Sequence, residues 1–537
     1  MAAKRLIVIG AGIAGLASAI RLAGEGFAVT VLEAADGPGG KLSAADVEGR
    51  AIDCGPTVLT MRWVFDALFE ETGANFDDYV PLLRADVLAR HAWDDPATAS
   101  DEQTTLDLFA DPERSVDAVH AFAGRRNAEG FVRFLKRAEA VYDTLAPTFM
   151  EAQRPSLPGL VARVAARNPI GLSRIQPFET LWSALGRYFP DPRLRQLFAR
   201  YATYCGSSPY SSPATLMLVA HVEQMGVWFI RDGLVQLADG LARRAEELGV
   251  DLRFGARVTA IETTSSRARA IRLEDGQRIA AEAIVYNGDV NALDGLLVDA
   301  ETNAATAIGR HSFRRSQRSQ SAVTVSTVAR PVGFPLSHHN VFFSNRYRDE
   351  FDAVFKRGAL PASPTVYVCA QDRDTGEPPP KDGRERLFFL INAPATGDMP
   401  ASDPSHLHQA ETDQCLTAMT RLLERAGLVL EAQSATPQVA TPATFETRFP
   451  GSGGALYGMA SHGWRASFLR RGAKSRLANL YLAGGSVHPG PGMPMAALSG
   501  RLAAMRLMSD LASTSRLHPV AMPGGIAMPS AKTGNTA

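Results

Sequence analysis

A short apolar run, Leu6-Ile7-Val8-Ile9, leads directly into Gly10-Ala11-Gly12-Ile13-Ala14-Gly15, and few folds accept that order. The unbroken hydrophobicity of the run suits a strand buried on both faces of a parallel sheet. The following residues, Leu16-Ala17-Ser18-Ala19-Ile20-Arg21-Leu22-Ala23, read as a helix. Phe27-Ala28-Val29-Thr30-Val31-Leu32 reads as a second strand that ends in Glu33. Each glycine has its own physical task. Gly10 permits the tight turn, Gly12 lets the backbone approach a pyrophosphate, and Gly15 lets the helix lie close on the strand. Ala14 belongs to the same turn. The free N–H groups and positive dipole end of the helix face the pyrophosphate. A carboxylate about 20 residues past the glycines, here Glu33, is where a ribose hydroxyl is held. Strand, glycines, helix, strand and acid in that order predict a dinucleotide-binding α/β unit. The glycines also argue against a secretory signal, whose core prefers leucine.

Size and composition narrow the rest. A chain of 537 residues exceeds one compact core and suggests about three units. The 45% apolar and 21% charged content is that of a folded protein. Basic and acidic residues balance at 56 each, so nothing points to a nucleic-acid partner, which needs a basic excess. Cys54, Cys205, Cys369 and Cys415 stand far apart with no CxxC pair, as buried thiols of a reducing compartment would. No stretch reaches ~20 apolar residues without charge, so no transmembrane helix is expected. The histidines show no HExxH spacing, and His338-His339 and His406-x-His408 read as loop residues, so no metal is expected. The SxxK and GxSxG patterns of covalent hydrolases are missing.

After Glu33 the chain runs Ala34-Ala35-Asp36-Gly37-Pro38-Gly39-Gly40-Lys41, a second glycine turn, and then Ile52-Asp53-Cys54-Gly55-Pro56-Thr57. This arrangement resembles the flavin-dependent amine-oxidase-like superfamily. The resemblance implies that the cofactor is FAD, with Gly39, Gly40 and Lys41 along its ribityl and phosphate region and Gly55, Pro56 and Thr57 beside it. In the middle of the chain the stretch Arg231–Leu241 begins an amphipathic helix that continues to Leu248 and ends at Gly249. Strand-like segments follow at 251–254, 257–262, 270–273 and 278–285, with Asp275-Gly276 as a hairpin turn. The resemblance implies that Val258 meets the adenine through its backbone and that Asn287-Gly288-Asp289 closes the unit.

Near the C-terminus a strand, Asn479-Leu480-Tyr481-Leu482, enters Ala483-Gly484-Gly485-Ser486. Val487-His488-Pro489-Gly490-Pro491-Gly492-Met493-Pro494-Met495 comes next, then a helix from about Ala496 to Leu511. Such a helix start offers N–H groups to an electron-rich flavin edge, with Gly484, Gly485, Pro494 and Met495 around it. This run is similar to the C-terminal signature of bacterial carotenoid desaturases of the phytoene desaturase type. With the other motifs, the resemblance covers the chain to about residue 512. Gly451–Gly458, Ser461–Phe468 and the Ser486-Val487-His488 run resemble the 1-hydroxycarotenoid 3,4-desaturase branch. That branch acts on hydroxylated or methoxylated acyclic carotenoids.

The layout predicts an α/β protein with a discontinuous Rossmann-like FAD domain built from residues 1–90, 225–295 and 475–515. Residues 91–224 are expected to form a mainly helical insert suited to substrate binding or membrane contact. Phe131, Phe134, Leu135, Ala138, Val141, Tyr142 and Leu145 make one apolar stripe there, read first as core. Residues 296–474 are expected to form a sheet-floored substrate domain, with strands at Ser321–Ala329 and Leu387–Asn392. A poorly ordered tail is expected over 516–537.

The implied reaction removes a hydride and a neighbouring proton from a carbon–carbon bond beside a polyene, the flavin taking the hydride. An apolar tunnel would align that bond, and geometry supplies much of the acceleration. No strongly basic residue is required. His488 is the nearest candidate for proton transfer by motif position, though a structural histidine in a turn is an equal reading. His462, Trp464 and Arg465 are further cavity candidates. Other readings stay open. They are a general phytoene desaturase, an amine or protoporphyrinogen oxidase, a redox-neutral carotenoid isomerase, and a non-enzymatic flavin-binding carotenoid carrier. An acyclic carotenoid reached from a bilayer implies a cytoplasmic protein held peripherally on the membrane, with oxygen or quinone as electron acceptor.

Overall fold

The computed structural model describes residues 5–93, 104–168, 171, 174–264, 266–302, 304 and 311–516. The expected tail, beyond Arg516, lies outside the described residues. The first strand, β1 (Arg5–Ile9), is the middle of a five-stranded parallel sheet. β2 (Ala28–Leu32) and Asp251–Arg253 lie on one side of it, Ala283–Tyr286 and Leu480–Leu482 on the other. Paired at both edges and covered on both faces, Leu6, Ile7 and Val8 are wholly buried, which accounts for the continuous apolar run. The helix between them, α1 (Ile13–Gly24), is buried on nearly every side. It packs against the sheet and against two other helices, Val235–Glu247 and Met493–Arg516. The last crossing is tight. A Cβ on Gly500 would stand 2.2 Å from the Ala14 carbonyl.

A four-stranded sheet of Arg278–Ala280, Arg267–Leu273, Val258–Thr264 and Leu297–Asp299 lies beside this unit, with Gly276 turning the hairpin at φ 85°. A larger mixed sheet of eight strands is built mostly from residues 321–440. Its long strands Ser321–Gly333 and Glu385–Ala393 pair antiparallel along most of their length.

Two strands of this larger sheet, Val87–Trp93 and Thr105–Phe109, come from the end of the first segment and the start of the insert. The insert is therefore not helical throughout. A β-bulge between Val87 and Ala89 breaks the alternation that would have marked the first of them. His338 and His339 also depart from expectation. They are buried rather than in an open loop, because His339 opens the strand His339–Phe343 and pairs with Cys369. Donor atoms of His338, His339 and Cys369 all lie within 4.8 Å of one another.

Four helices of the insert start on side-chain caps. Asp111, Ser156, Thr180 and Asp191 each accept an N–H from the first turn of the helix that follows. The helix Arg125–Leu145 buries Phe131, Phe134, Ala138, Val141, Tyr142 and Leu145 along one face. Among the described residues no helix is long and apolar enough to cross a membrane.

Candidate cofactor and substrate cavity

One cavity of about 1010 Å³ runs between the parallel sheet, the large mixed sheet and the insert. That is at the top of the range of roughly 300–1,000 Å³ usual for small-molecule sites. Gly10, Gly12, Ala14, Glu33, Gly39, Gly40, Lys41, Gly55, Pro56, Thr57, Val258, Asn287, Gly484, Gly485, Pro494 and Met495 all line it. Gly15 and His488 stand behind its wall.

At one end Gly12 caps α1 with no side-chain hydrogen bond among the described residues, so no side chain competes with an anion for the helix start. Gly15 has no room for a side chain, since a Cβ would lie 2.0 Å from the Gly10 carbonyl. The Glu33 carboxylate braces the turn, accepting N–H bonds from Ala11 at 2.7 Å and Ala35 at 2.9 Å. Gly39 donates its N–H to Ala11 O at 3.0 Å and holds φ at 121°, bringing the second glycine turn onto the first. Asn287 closes the far side, its Nδ2 donating to Gly10 O at 3.2 Å.

Lys41 crosses the cavity wall and donates to Leu456 O at 2.7 Å. Burial pushes the pKa of the Lys41 ammonium down and that of the Asp289 carboxyl up, and the attraction between them opposes both shifts. Gly55 is fixed as glycine by the Lys41 carbonyl, which a Cβ would meet at 2.0 Å. Thr57 Oγ1 lies 2.7 Å from the Tyr367 hydroxyl.

The opposite end is formed by the turn after Leu480–Leu482. Gly484 takes φ 124° and donates its N–H to Ser499 Oγ at 3.1 Å. Met493, Pro494, Met495 and Ala496, the first turn of the last helix, face the cavity. A second helix start therefore addresses the same space as the first. Arg470, which the sequence reading passed over, ties this turn together. Buried, it donates to Gly485 O at 3.0 Å and to Tyr457 O at 3.2 Å. Burial lowers its pKa to about 10. In sequence, Arg470-Arg471 looks like an ordinary surface doublet. Helix starts facing the cavity at both ends, an acid that braces the first turn and glycines without room for a Cβ fit an extended dinucleotide such as FAD.

His488 takes no part in the lining. It is buried, its Nε2–H donates to Ala152 O at 2.9 Å, and its ring meets Phe149 edge-on at 4.7 Å. Burial lowers its pKa to about 4, so it is neutral at ordinary pH. Through Ala152 and Phe149 it joins the insert to the C-terminal turn. His462, Trp464 and Arg465 are also outside the lining. His462 Nε2 accepts the Ser208 N–H at 2.9 Å, and the exposed Arg465 lies over the Trp464 ring. Among the described residues no histidine lines the cavity. Cys369 and Cys415 are buried as expected of structural thiols, whereas Cys54 and Cys205 border the cavity.

Beyond the glycine turns the wall becomes apolar, with Leu145, Phe149, Met150, Leu216, Val219 and Val222 from the insert. Arg200 and Glu223 interrupt it, and nothing in their local spacing marks them out.

The family model of the flavin-containing amine oxidoreductases matches residues 13–508. A hydroxyneurosporene desaturase of Rubrivivax gelatinosus is 47% identical over 99% of this chain and 98% of its own. One from Cereibacter sphaeroides is 42% identical over 95% of this chain and 99% of its own. Among solved structures, an oxidoreductase from Methanosarcina mazei superposes with a TM-score of 0.58 at 15% identity, covering 94% of this chain and all of its own. That likeness concerns the fold alone.

Proposed function

This chain belongs to the flavin-containing amine oxidoreductases, among the hydroxyneurosporene desaturases, and we propose that it introduces the 3,4 double bond into acyclic 1-hydroxy- or 1-methoxycarotenoids. It is an FAD-dependent oxidoreductase acting on a carotenoid. FAD supplies the hydride acceptor. The observation that carries the reading is the continuity of one cavity. The space that begins at the start of α1 runs on into the apolar wall of Leu145, Phe149, Met150 and Val222. A linear polyene needs such a wall, since nothing along its length can hydrogen-bond.

The chain's own contributions are binding, alignment and exclusion of water. Gly12, Glu33 and Asn287 hold the adenosine and pyrophosphate end. Lys41, Gly55, Gly484 and Met495 surround the other. Apolar side chains of the insert align the target bond, which converts an encounter into an oriented reaction. They also keep water from the positive charge that builds up on the polyene and is delocalised along it. No strongly basic side chain is required, which accords with a lining that holds no histidine among the described residues.

Anaerobic mixing of the FAD-loaded protein with a hydroxylated acyclic carotenoid tests the reading. Bleaching of the flavin together with a longer-wavelength polyene is expected. A shifted polyene spectrum with the flavin still oxidised would indicate an isomerase, and binding with neither change a carrier.

We further propose that the protein works peripherally on the cytoplasmic face of a membrane, passing its electrons to oxygen or a quinone. The support is a group of exposed apolar side chains near the cavity wall. Leu157 and Val161 share one face of the helix Leu157–Arg167 and are 43% and 41% exposed. Phe178 is 81% exposed against Trp464, and Leu469 is 51% exposed. Arg154 joins the two segments by donating to Phe468 O and Arg470 O, both at 3.0 Å. Phe149, Met150 and Ser467, from the same neighbourhood, line the cavity, so a substrate leaving the bilayer would have a short way to travel.

A further inference from the structure

Arg200, half-buried, puts a cation on the apolar part of the cavity wall. Arg200 begins the 3-10 helix Arg200–Cys205 and is enclosed by protein except where it borders the cavity. Among the described residues its guanidinium donates one hydrogen bond, from Nη1 to the Tyr204 hydroxyl at 3.2 Å, and meets no carboxylate directly. It lies over the rings of Tyr204 and Tyr367, each centroid 5.4 Å away. Tyr204 in turn donates to Glu223 Oε1 at 2.9 Å. The Glu223 carboxylate, one hydroxyl removed, therefore balances the Arg200 charge, and the cluster suits a neutral polar group better than an anion.

Two residues of the same cavity wall carry unsatisfied groups. Among the described residues the buried Tyr347 hydroxyl, which feels the Arg200 charge, and the buried Gln320 Oε1 have no hydrogen-bond partner. Buried orphans of this kind destabilise a fold unless a ligand supplies their partner. The position of the cluster matters as much as its chemistry. Tyr367 joins Arg200 to Thr57 through a 2.7 Å hydrogen bond, and the Arg200 charge is felt at Tyr457, whose carbonyl Arg470 holds beside Gly485. Arg200 thus links the wall at Thr57 to the wall at Tyr457, which on the reading proposed above flank the flavin.

We infer that Arg200, with Tyr347 and Gln320, seats the terminal hydroxyl of the carotenoid and so selects hydroxylated substrates. Arg200 donates to the hydroxyl oxygen, and the hydroxyl donates its hydrogen bond to Gln320 Oε1. The inference rests on the desaturase reading above. In a 3,4-desaturation the hydroxyl is carried only two carbons from the bond that reacts, at most about 4 Å away at ~1.5 Å per bond. Its seat must lie next to the reacting position and not at the far end of the tunnel, and on the proposed reading Arg200 meets that condition through Tyr367 and Thr57.

The test is the rate of anaerobic flavin reduction by hydroxyneurosporene and by the same polyene lacking the hydroxyl, in the wild type, Arg200→Met and Tyr347→Phe. The wild type is expected to favour the hydroxylated polyene, and Arg200→Met to cut that preference by about tenfold to a hundredfold. Tyr347→Phe should reduce it by severalfold. An unchanged preference in flavin-loaded Arg200→Met overturns the inference. If that variant does not hold flavin, an unchanged preference in Tyr347→Phe overturns it instead. A wild type that reacts equally with both polyenes also overturns it but leaves the desaturase reading standing. A wild type reduced by neither removes that reading and this inference with it.

Discussion

Replacing Gly15 by alanine should cost the protein both stability and cofactor. The added Cβ would lie 2.0 Å from the Gly10 carbonyl and 2.8 Å from Asn287 Nδ2. Real Cβ contacts are not shorter than 3.0 Å, so α1 must retreat from β1 by at least 1 Å. Gly10 cannot give way in its place, because its N–H is bonded to Leu32 O at 2.8 Å and β1 is the middle strand of its sheet. Nor is there slack behind α1, where Ala14 O already faces Gly500 and Ser18 Oγ lies 3.0 Å from Gly500 O. Overpacking of this kind costs about 1–3 kcal/mol. A 1 Å retreat also carries the helix-start N–H groups out of the 2.7–3.2 Å range in which they could hold a phosphate. Losing one such charged hydrogen bond weakens FAD binding by about tenfold to a hundredfold. The assay is flavin content after gel filtration, with a reconstitution titration and urea unfolding of the apoprotein. Gly37→Ala serves as control, because its Cβ would meet nothing within 4 Å. Full flavin content and unaltered unfolding in Gly15→Ala would refute the packing argument.

Glu33→Gln leaves one carbonyl oxygen to accept two N–H groups, so either Ala11 or Ala35 loses its partner, and FAD affinity should fall about tenfold to a hundredfold in the same titration. For His488, burial lowers the pKa from 6.5 to about 4. Between those values the unfolded chain holds the proton and the folded chain does not, so stability should decline as pH falls from 6.5 and level off below 4, by about 3 kcal/mol in all. His488→Asn should flatten part of that decline in urea titrations, and should lower kcat by well under the ~100-fold that marks general acid–base catalysis. A larger loss of kcat in a folded, flavin-loaded variant would restore His488 as a proton-transfer residue. The combined change Leu157→Ser, Val161→Ser and Phe178→Ser should weaken binding to anionic liposomes by about tenfold or more at unchanged flavin content, measured by flotation. Undiminished flotation would move the docking face elsewhere.

The cofactor half of the protein is legible in sequence because its constraints are local. Gly15 is excluded from bearing a side chain by Gly10, five residues away, and the acid that braces the turn ends the very next strand. The two long strands of the mixed sheet could likewise be found from their own apolar runs, since each is the other's neighbour over most of its length. Val87–Trp93 escaped notice for the converse reason. Its parallel partner, His339–Phe343, is some 250 residues further on, and its own pattern is interrupted by a bulge and by Arg90 and His91. His339 was read as loop because its partner Cys369 is likewise absent from its surroundings in sequence.

His488 and Arg200 show where such reading stops, and they fail in opposite directions. His488 sits in a motif rich in function, yet the direction of its side chain, decided by Ala152 and Phe149 from another part of the chain, removes it from the cavity. Arg200 sits in a stretch that looks like an ordinary helix end, yet Tyr347, Tyr367 and Gln320, from three other segments, share its cavity wall and complete the proposed seat. The difference follows from what each half must recognise. A dinucleotide presents phosphates and ribose, which backbone N–H groups and one acid can hold from a single turn. A long polyene differs from its relatives by a single hydroxyl, and discriminating it requires a donor and an acceptor to meet at one point in an apolar wall. Side chains from one segment cannot enclose such a point, so the residues that choose the substrate are spread along the chain and come together only in the fold.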